Sequence, residues 1–258
     1  MELSLAGKVT VVTGGSSGIG AAVVRSAAAA GALCVAVGRD ESRLTRVAAA
    51  VLERGGTCST VVEDLTVDGA PERVVGSALA TYGRIDVLVH SAGIFGPKPF
   101  LETPLAEFDA TWRINVRAPF ALTQAAVPHM ADGSVVVFVS SVDGHVGFAS
   151  DSAYGPSKSA IDGLTRALSI ELAQHGIRVS AVAPGFTETP MNAPYREGGQ
   201  LADAAIRETP AGRLATVDDI ATCVLFLASD AASYTHGTIL SVDGGYPTSP
   251  LQRGMATA

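Results

Sequence analysis

Short β-branched runs alternate with longer alanine-rich amphipathic stretches along the whole chain, and this alternation constrains the fold more than any other feature. Residues 8–13, 33–37, 57–63, 85–90, 134–140, 177–183 and 238–242 read as strands. Residues 18–30, 40–54, 71–82, about 104–130, 152–175 and 217–229 read as helices, with Asp40 as the N-cap of the second. A strand–helix–strand repeat requires crossover connections, and these build a parallel sheet with helices on both faces. The strands show no polar–apolar alternation, as expected when both faces are covered. The fold class expected is α/β: a Rossmann-like, doubly wound parallel sheet of about seven strands in one domain over residues 1–258.

Composition fits that expectation and excludes several function classes. The chain is 47% hydrophobic and 17% charged, which suits a well-buried globule rather than extended disorder. Lys and Arg number 18 against 25 Asp and Glu, a net charge of −7, and no dense basic run appears, so a nucleic-acid partner is not expected. Cys34, Cys58 and Cys223 form no CxxC pair, and the five histidines have no metal-ligand spacing, so no metal is expected. The first residues lack a charged start followed by an apolar run. The uncharged stretch from Ser26 to Gly38 is too short to span a bilayer, which needs about 20 apolar residues. The reading is a cytoplasmic protein with no membrane partner.

Directly after the first strand comes Thr13-Gly14-Gly15-Ser16-Ser17-Gly18-Ile19-Gly20, opening a helix. Glycines allow a sharp turn and close backbone approach to a pyrophosphate, and the helix N-terminus offers unpaired N–H groups to the anion. The spacing is GxxxGxG rather than GxGxxG, and no GKS or GKT follows, which disfavours an ATP-type loop. The second strand ends at Gly38, with Arg39 and Asp40 next. A carboxylate at that strand end would accept hydrogen bonds from the ribose hydroxyls and repel a 2′-phosphate; Arg39 would pair with the phosphate. Asp40 complicates this unless it caps the next helix. NADP(H) is the expected cofactor, with NAD(H) as the alternative.

Tyr154 and Lys158 lie one helical turn apart on one face, and Ser141 stands thirteen residues before the tyrosine, just past a strand. An ammonium beside a phenol favours the phenolate and would make it a usable base near neutral pH. With the glycine-rich turn, this set resembles the short-chain dehydrogenase/reductase family, and further segments fit in order along nearly the whole chain. Glu63-Asp64-Leu65 looks like the adenine-contacting acid after the third strand. His90-Ser91-Ala92-Gly93 stands where the family has Asn-Asn-Ala-Gly, and His90 itself reads as structural. Asn115 resembles the helix asparagine of the catalytic tetrad, Pro184-Gly185-Phe186-Thr187-Glu188-Thr189 the nicotinamide-side loop, and Asp243-Gly244-Gly245 the C-terminal signature. The resemblance implies hydride transfer between a nicotinamide and a ketone or secondary alcohol. Tyr154 would be the proton-transfer residue, Ser141 the donor to the carbonyl oxygen, Lys158 the group acidifying Tyr154 and holding the ribose, and Asn115 the holder of a relay water. Ser140 is the rival to Ser141; adjacent strand residues face opposite sides.

The substrate side is less defined. Asp143, His145 and Phe186 are candidate lining residues beside Ser141 and Tyr154, with Phe148 and the segments 95–99 and 191–195 near them. A lid or substrate loop is expected over about 186–212, irregular to about Gln200. The substrate expected is a small ketone or alcohol; a 3-oxoacyl-carrier-protein reductase, a sugar, polyol or steroid dehydrogenase, and a non-catalytic NADP(H) sensor are the alternatives. The resemblance also implies a homotetramer or a dimer.

Overall fold

The computed structural model describes residues 3–193 and 200–246. The irregular tail expected over 247–258 and the lining candidate Tyr195 lie outside the described residues. Seven strands form one all-parallel sheet: β1 (Val9–Thr13), β2 (Leu33–Gly38), β3 (Thr57–Val62), β4 (Ile85–His90), β5 (Met130–Val139), β6 (Arg178–Pro184) and β7 (Ile239–Val242). Their order is β3-β2-β1-β4-β5-β6-β7. The order reverses between β1 and β4, which register from Thr10 with Val87 to Thr13 with His90. Ligands of such sheets bind in the crevice at the strand ends beside this reversal.

Consecutive strand residues enter opposite cores. Val12, Cys34 and Ala36 pack under α1 (Gly18–Ala29) and α2 (Glu41–Leu52), while Val9, Val11, Val35 and Val37 pack under α3 (Ala70–Tyr82). Every residue of β1 and β4 is buried, which explains the missing alternation. Asp40 caps α2 by accepting from the Arg43 N–H at 3.0 Å.

The long helix expected over 104–130 is instead α4 (Leu105–Trp112), a π-helical stretch (Arg113–Arg117), α5 (Ala118–Ala126) and a short 3₁₀ turn at Val127–His129. Pro119 supplies the physical reason, because it has no N–H for the carbonyl of Asn115 four residues earlier and the ladder must widen around it. α6 (Tyr154–Glu171) begins at the tyrosine itself, and Pro156 sits in its first turn, where a missing N–H is tolerated. β5 starts at Met130 rather than Ser134, with a register break between Ile85 and Val87. The lid region is not all irregular: it contains α7 (Gln200–Glu208), and α8 (Val217–Ala228) follows behind a Thr216–Asp219 capping box.

Candidate active site

The glycine-rich turn closes β1 onto α1 by contacts that exclude side chains. A Cβ on Gly14 would lie 2.9 Å from the Ala92 nitrogen and the Ser91 carbonyl, and one on Gly20 would lie 2.3 Å from the Gly14 oxygen. Ser17 is the N-cap of α1, yet no side chain caps that helix. The first N–H groups of α1 are therefore available to an anion, as a dinucleotide pyrophosphate requires. Thr189 and Pro190 face Gly18 across the turn, at 3.7 Å from a Cβ placed there. The Thr13 hydroxyl accepts from the Ser91 and Ala92 N–H groups at 3.1 and 3.2 Å, tying the turn to the loop after β4.

Gly38 lies against Ser16, whose hydroxyl would be 3.2 Å from a Cβ at position 38. Arg39 is largely exposed, and its Nη1 is 3.7 Å from Asp64 Oδ2. Asp64 accepts from the Thr66 N–H and hydroxyl, which, with the Arg39 charge, hold its carboxyl below the usual range. Leu65 is buried beside it. Ser16, Arg39 and Asp64 thus gather at the end of β2. On the other side, Gly185 packs on Asp243, its N–H bonds Val242, and the Thr187 hydroxyl donates to the Gly185 carbonyl at 2.9 Å. Asn192, within the candidate segment 191–195, organises this loop: its amide donates to the Thr187 carbonyl at 2.6 Å and its Oδ1 accepts from the Thr189 N–H at 3.1 Å.

At the ends of β4 and β5 the tetrad candidates converge. Lys158 is buried, and its Nζ donates to the Val139 carbonyl at 2.8 Å and lies 5.4 Å from the Tyr154 ring centroid. Gly93 lies against it, since a Cβ there would be 3.0 Å from Asn115 Oδ1 and 3.9 Å from Lys158 Nζ. The Asn115 amide is fully engaged, donating to the Ile94 carbonyl and to Ser157 Oγ while Oδ1 accepts from the Ile94 N–H. Ser141 hydrogen-bonds Tyr154, whereas Ser140 points away, with Oγ 2.6 Å from Asp162. His90 is structural in geometry: it is buried, stacked on Phe138 and bonded to Thr123, and burial pushes its pKa down to about 3.

Burial dominates the electrostatics of Tyr154 and Lys158. Burial pushes the Tyr154 hydroxyl above its ordinary value; the Asp143 charge adds to this, Ser141 opposes it, and the Asp151 charge adds again. Burial brings Lys158 down to about 8, against the pull of Asp143 and Asp162. Burial of the hydroxyl thus works against the acidifying effect expected of the Lys158 ammonium and favours the protonated form, the form of a proton donor.

Residues 14–247 match the family model described as "Enoyl-(Acyl carrier protein) reductase". The chain belongs to the short-chain dehydrogenase/reductase family. It is 40% identical to the cis-4-hydroxycyclohexanecarboxylate dehydrogenase of Sinomonas cyclohexanicum, over 95% of this chain and 99% of that one. It is 37% identical to the L-xylulose reductase of Bos taurus, over 95% and 99%. A chain from Beutenbergia cavernae, assigned as an NAD(P)-dependent gluconate 5-dehydrogenase and holding NADP at low occupancy, superposes with a TM-score of 0.90 at 39% identity, over 96% of this chain and all of that one. The protein is thus an NAD(P)-dependent oxidoreductase of alcohols and ketones. Among the described residues no helix is long and apolar enough to cross a membrane, and no cluster of metal-ligating side chains occurs.

In this short-chain dehydrogenase/reductase aromatic side chains gather on the loops that follow β4, β5, β6 and β7. Phe95 meets the Tyr154 ring edge-on at 4.9 Å, and Phe148, Phe186 and Tyr246 form a trio with centroids 5.0–6.2 Å apart. The Tyr246 hydroxyl bonds Glu208 at the end of α7. Tyr246 was not legible as a lining residue, because only its position beside Asp243-Gly244-Gly245 singles it out. His145 is turned from the catalytic hydroxyls: its Nε2 lies 3.0 Å from Asp162 Oδ2, a buried acid it partners. Asp143 faces them, bonded to Ser141 and charged against Tyr154.

Proposed function

We propose that the protein is an NADP(H)-dependent reductase of a small ketone, also able to oxidise the corresponding secondary alcohol. The observation that carries this is Tyr154 set beside Ser141 and buried Lys158, with burial holding the tyrosine hydroxyl above its ordinary pKa. When bound, the nicotinamide supplies or accepts the hydride. Tyr154 Oη gives its proton to the carbonyl oxygen in reduction and takes it back in oxidation. Ser141 Oγ donates to the same oxygen and stabilises its developing charge. Lys158 holds the nicotinamide ribose and offsets the phenolate left on Tyr154. The Asn115 carbonyl, deprived of its ordinary helical donor by Pro119, is available to hold a water leading from Lys158.

The turn residues Gly14, Ser16, Ser17, Gly18, Ile19 and Gly20 take the pyrophosphate, and Asp64 and Leu65 border the adenine. Ser91, Ala92 and Gly93 support the ribose, while Pro184, Gly185, Thr187 and Thr189 hold the nicotinamide side. NADP(H) is preferred because β2 ends without an acid while Ser16 and Arg39 stand at that end. The acyl-carrier reading has less support, since neither the turn from His129 to Gly133 nor the end of the Tyr154 helix at Gln174 and His175 is strongly basic. We further propose a cytoplasmic homotetramer; the half-exposed Phe120 and the exposed Leu105 mark the α4–α5 surface beside α6 as one contact. Gel filtration with light scattering tests this, and a monomer would refute it. Absorbance at 340 nm with NADPH and NADH, across ketones and secondary alcohols, tests the activity. Turnover with no carbonyl would refute it in favour of a binding protein, and equal kcat/KM for both cofactors would refute the preference.

A further inference from the structure

Asp143 and Asp151 lie beside the Ser141–Tyr154 pair, and each interacts with the other. Asp151 is three residues before Tyr154 and is 8% exposed. The Lys98 N–H donates to the Ser150 carbonyl at 2.8 Å, and a backbone bridge pairs Lys98 with Asp151, fixing this segment to the loop after β4. The Asp151 carboxyl lies against the first turn of α6: a Cβ on Gly155 would sit 2.8 Å from its Oδ2. Its Oδ1 is buried and receives no donor from any described hydroxyl or N–H. An orphaned buried carboxylate oxygen is costly. Among the described residues the side chain that interacts with this carboxyl is Asp143, which also bonds Ser141, while the Gly155 and Tyr154 N–H groups at the start of α6 favour its ionised form. Two carboxylates are both acceptors, so the contact is favourable only when one proton lies between them.

We propose that Asp143 and Asp151 form a carboxyl pair sharing one proton, and that this pair selects ketones and alcohols bearing a hydroxyl on the carbon next to the reacting one. This inference rests on the reductase reading. Asp143 is the specificity residue: it accepts the substrate's neighbouring hydroxyl while Ser141 and Tyr154 hold the carbonyl oxygen. Asp151 is a positioning residue that acts through Asp143. Burial and the Asp143 charge raise Asp151 to about 7, so the pair retains its proton up to neutrality. The groups facing the pair are Ser141, Tyr154 and the Lys158 ammonium; His145 and Asp162 pair with each other, and Lys98 reaches away to Glu107. The pair's single negative charge attracts a hydroxyl donor and repels a carboxylate in the same place, as in a 2-oxo acid. Phe95, opposite, offers an apolar surface to the remaining carbons.

The test compares kcat/KM for 2-hydroxycyclohexanone with that for cyclohexanone, and 2-oxobutanoate with 2-butanone, using the full chain and both cofactors. The hydroxyketone is expected to exceed the plain ketone by about tenfold or more, and the oxo acid to fall below 2-butanone. In Asp143→Ala the hydroxyketone-to-ketone ratio should fall by about tenfold to a hundredfold, the range for a hydrogen bond to a charged group. In the wild type the ratio should decline above pH 7 as repulsion separates two carboxylates; in Asp151→Asn, whose amide replaces the shared proton, it should stay level from pH 6 to 8. NADPH fluorescence confirms folding, and Asp143→Ser replaces the alanine variant if it does not fold. A wild-type ratio near one, a ratio unmoved by the Asp143 variant, or matching pH profiles for wild type and Asp151→Asn would each overturn the proposal. If cyclohexanone is reduced and the ratios are flat, only this inference fails; if neither cyclic ketone reacts with either cofactor, the reductase reading fails and this falls with it.

Discussion

Carboxylates at two ends of the crevice are treated in opposite ways. After β3, Glu63 is held below its ordinary pKa mainly by a hydrogen bond from Arg73, and Asp64 mainly by Thr66, with Arg39 adding to it. Before α6, burial pushes Asp143 and Asp151 above theirs. The first region keeps fixed anions beside cations, an arrangement suited to a cofactor of constant charge. In the second, burial favours the protonated carboxyl near Tyr154, an arrangement suited to proton transfer and to choosing among neutral substrates. The cofactor side is also built largely from backbone and glycine, whereas the substrate side is built from side chains drawn from five separate segments.

Replacing one atom on the chemical side should separate the two regions most. Tyr154→Phe removes the proton donor and leaves the turn after β1 intact. Turnover should fall by about 10²–10⁴-fold while NADPH binding, read by fluorescence, changes little. Loss of both together would mean that Tyr154 supports the cofactor cradle rather than the reaction. The converse variant is Gly20→Ala, whose Cβ would collide with the Gly14 carbonyl. It should weaken NADPH binding by about tenfold or more, since the turn must open, at a cost of roughly 1–3 kcal/mol. Undiminished NADPH affinity in that variant would show that the turn does not hold the pyrophosphate.

The same division decides what was legible beforehand. The order of the sheet's elements, the turn from Gly14 to Gly20 and the Tyr154–Lys158 spacing are local patterns, and each carries its own geometry. Asp40 as a cap was legible because a cap needs only its next three residues. The break at Arg113–Arg117 was not, because an apolar helical pattern runs through it and only Pro119 hints at the strain. Asp151 and Tyr246 were missed because nothing in their own local sequence marks them, and only the fold brings them against Asp143 and the Phe148–Phe186 pair. His145 illustrates the reverse error: proximity to Ser141 in sequence suggested a substrate contact, while its nitrogen turns to an acid on α6.

The cofactor end can be inverted by charge. Arg39→Asp would place a carboxylate beside Asp64 and near the ribose. The kcat/KM ratio of NADPH to NADH should fall by about tenfold to a hundredfold, the range for loss of a charged hydrogen-bonded contact. Arg39 is 71% exposed and screened, so the lower figure is expected at 0.5 M salt. An unchanged ratio would leave Ser16 and the Gly38 turn as the only support for NADP(H).

The smallest effect lies in stability, and its sign separates the two regions again. The folded-state pKa of Asp151 is about 7, against an ordinary carboxyl value of 3.8. The folded state therefore binds a proton that the unfolded state releases, and stability from this group is full at low pH and lost as pH rises through 7. Asp151→Asn mimics the protonated acid at every pH. Its Tm should match the wild type near pH 4 and exceed it at pH 8. Asp64 should behave in the opposite sense. Its lowered pKa gives stability above the ordinary carboxyl range that is lost on acidification, so Asp64→Asn should cost most at pH 8 and little near pH 3. If both variants shift Tm in the same direction at pH 8, the two ends of the crevice do not treat their carboxylates differently, and the shared proton beside Tyr154 has no place in the fold.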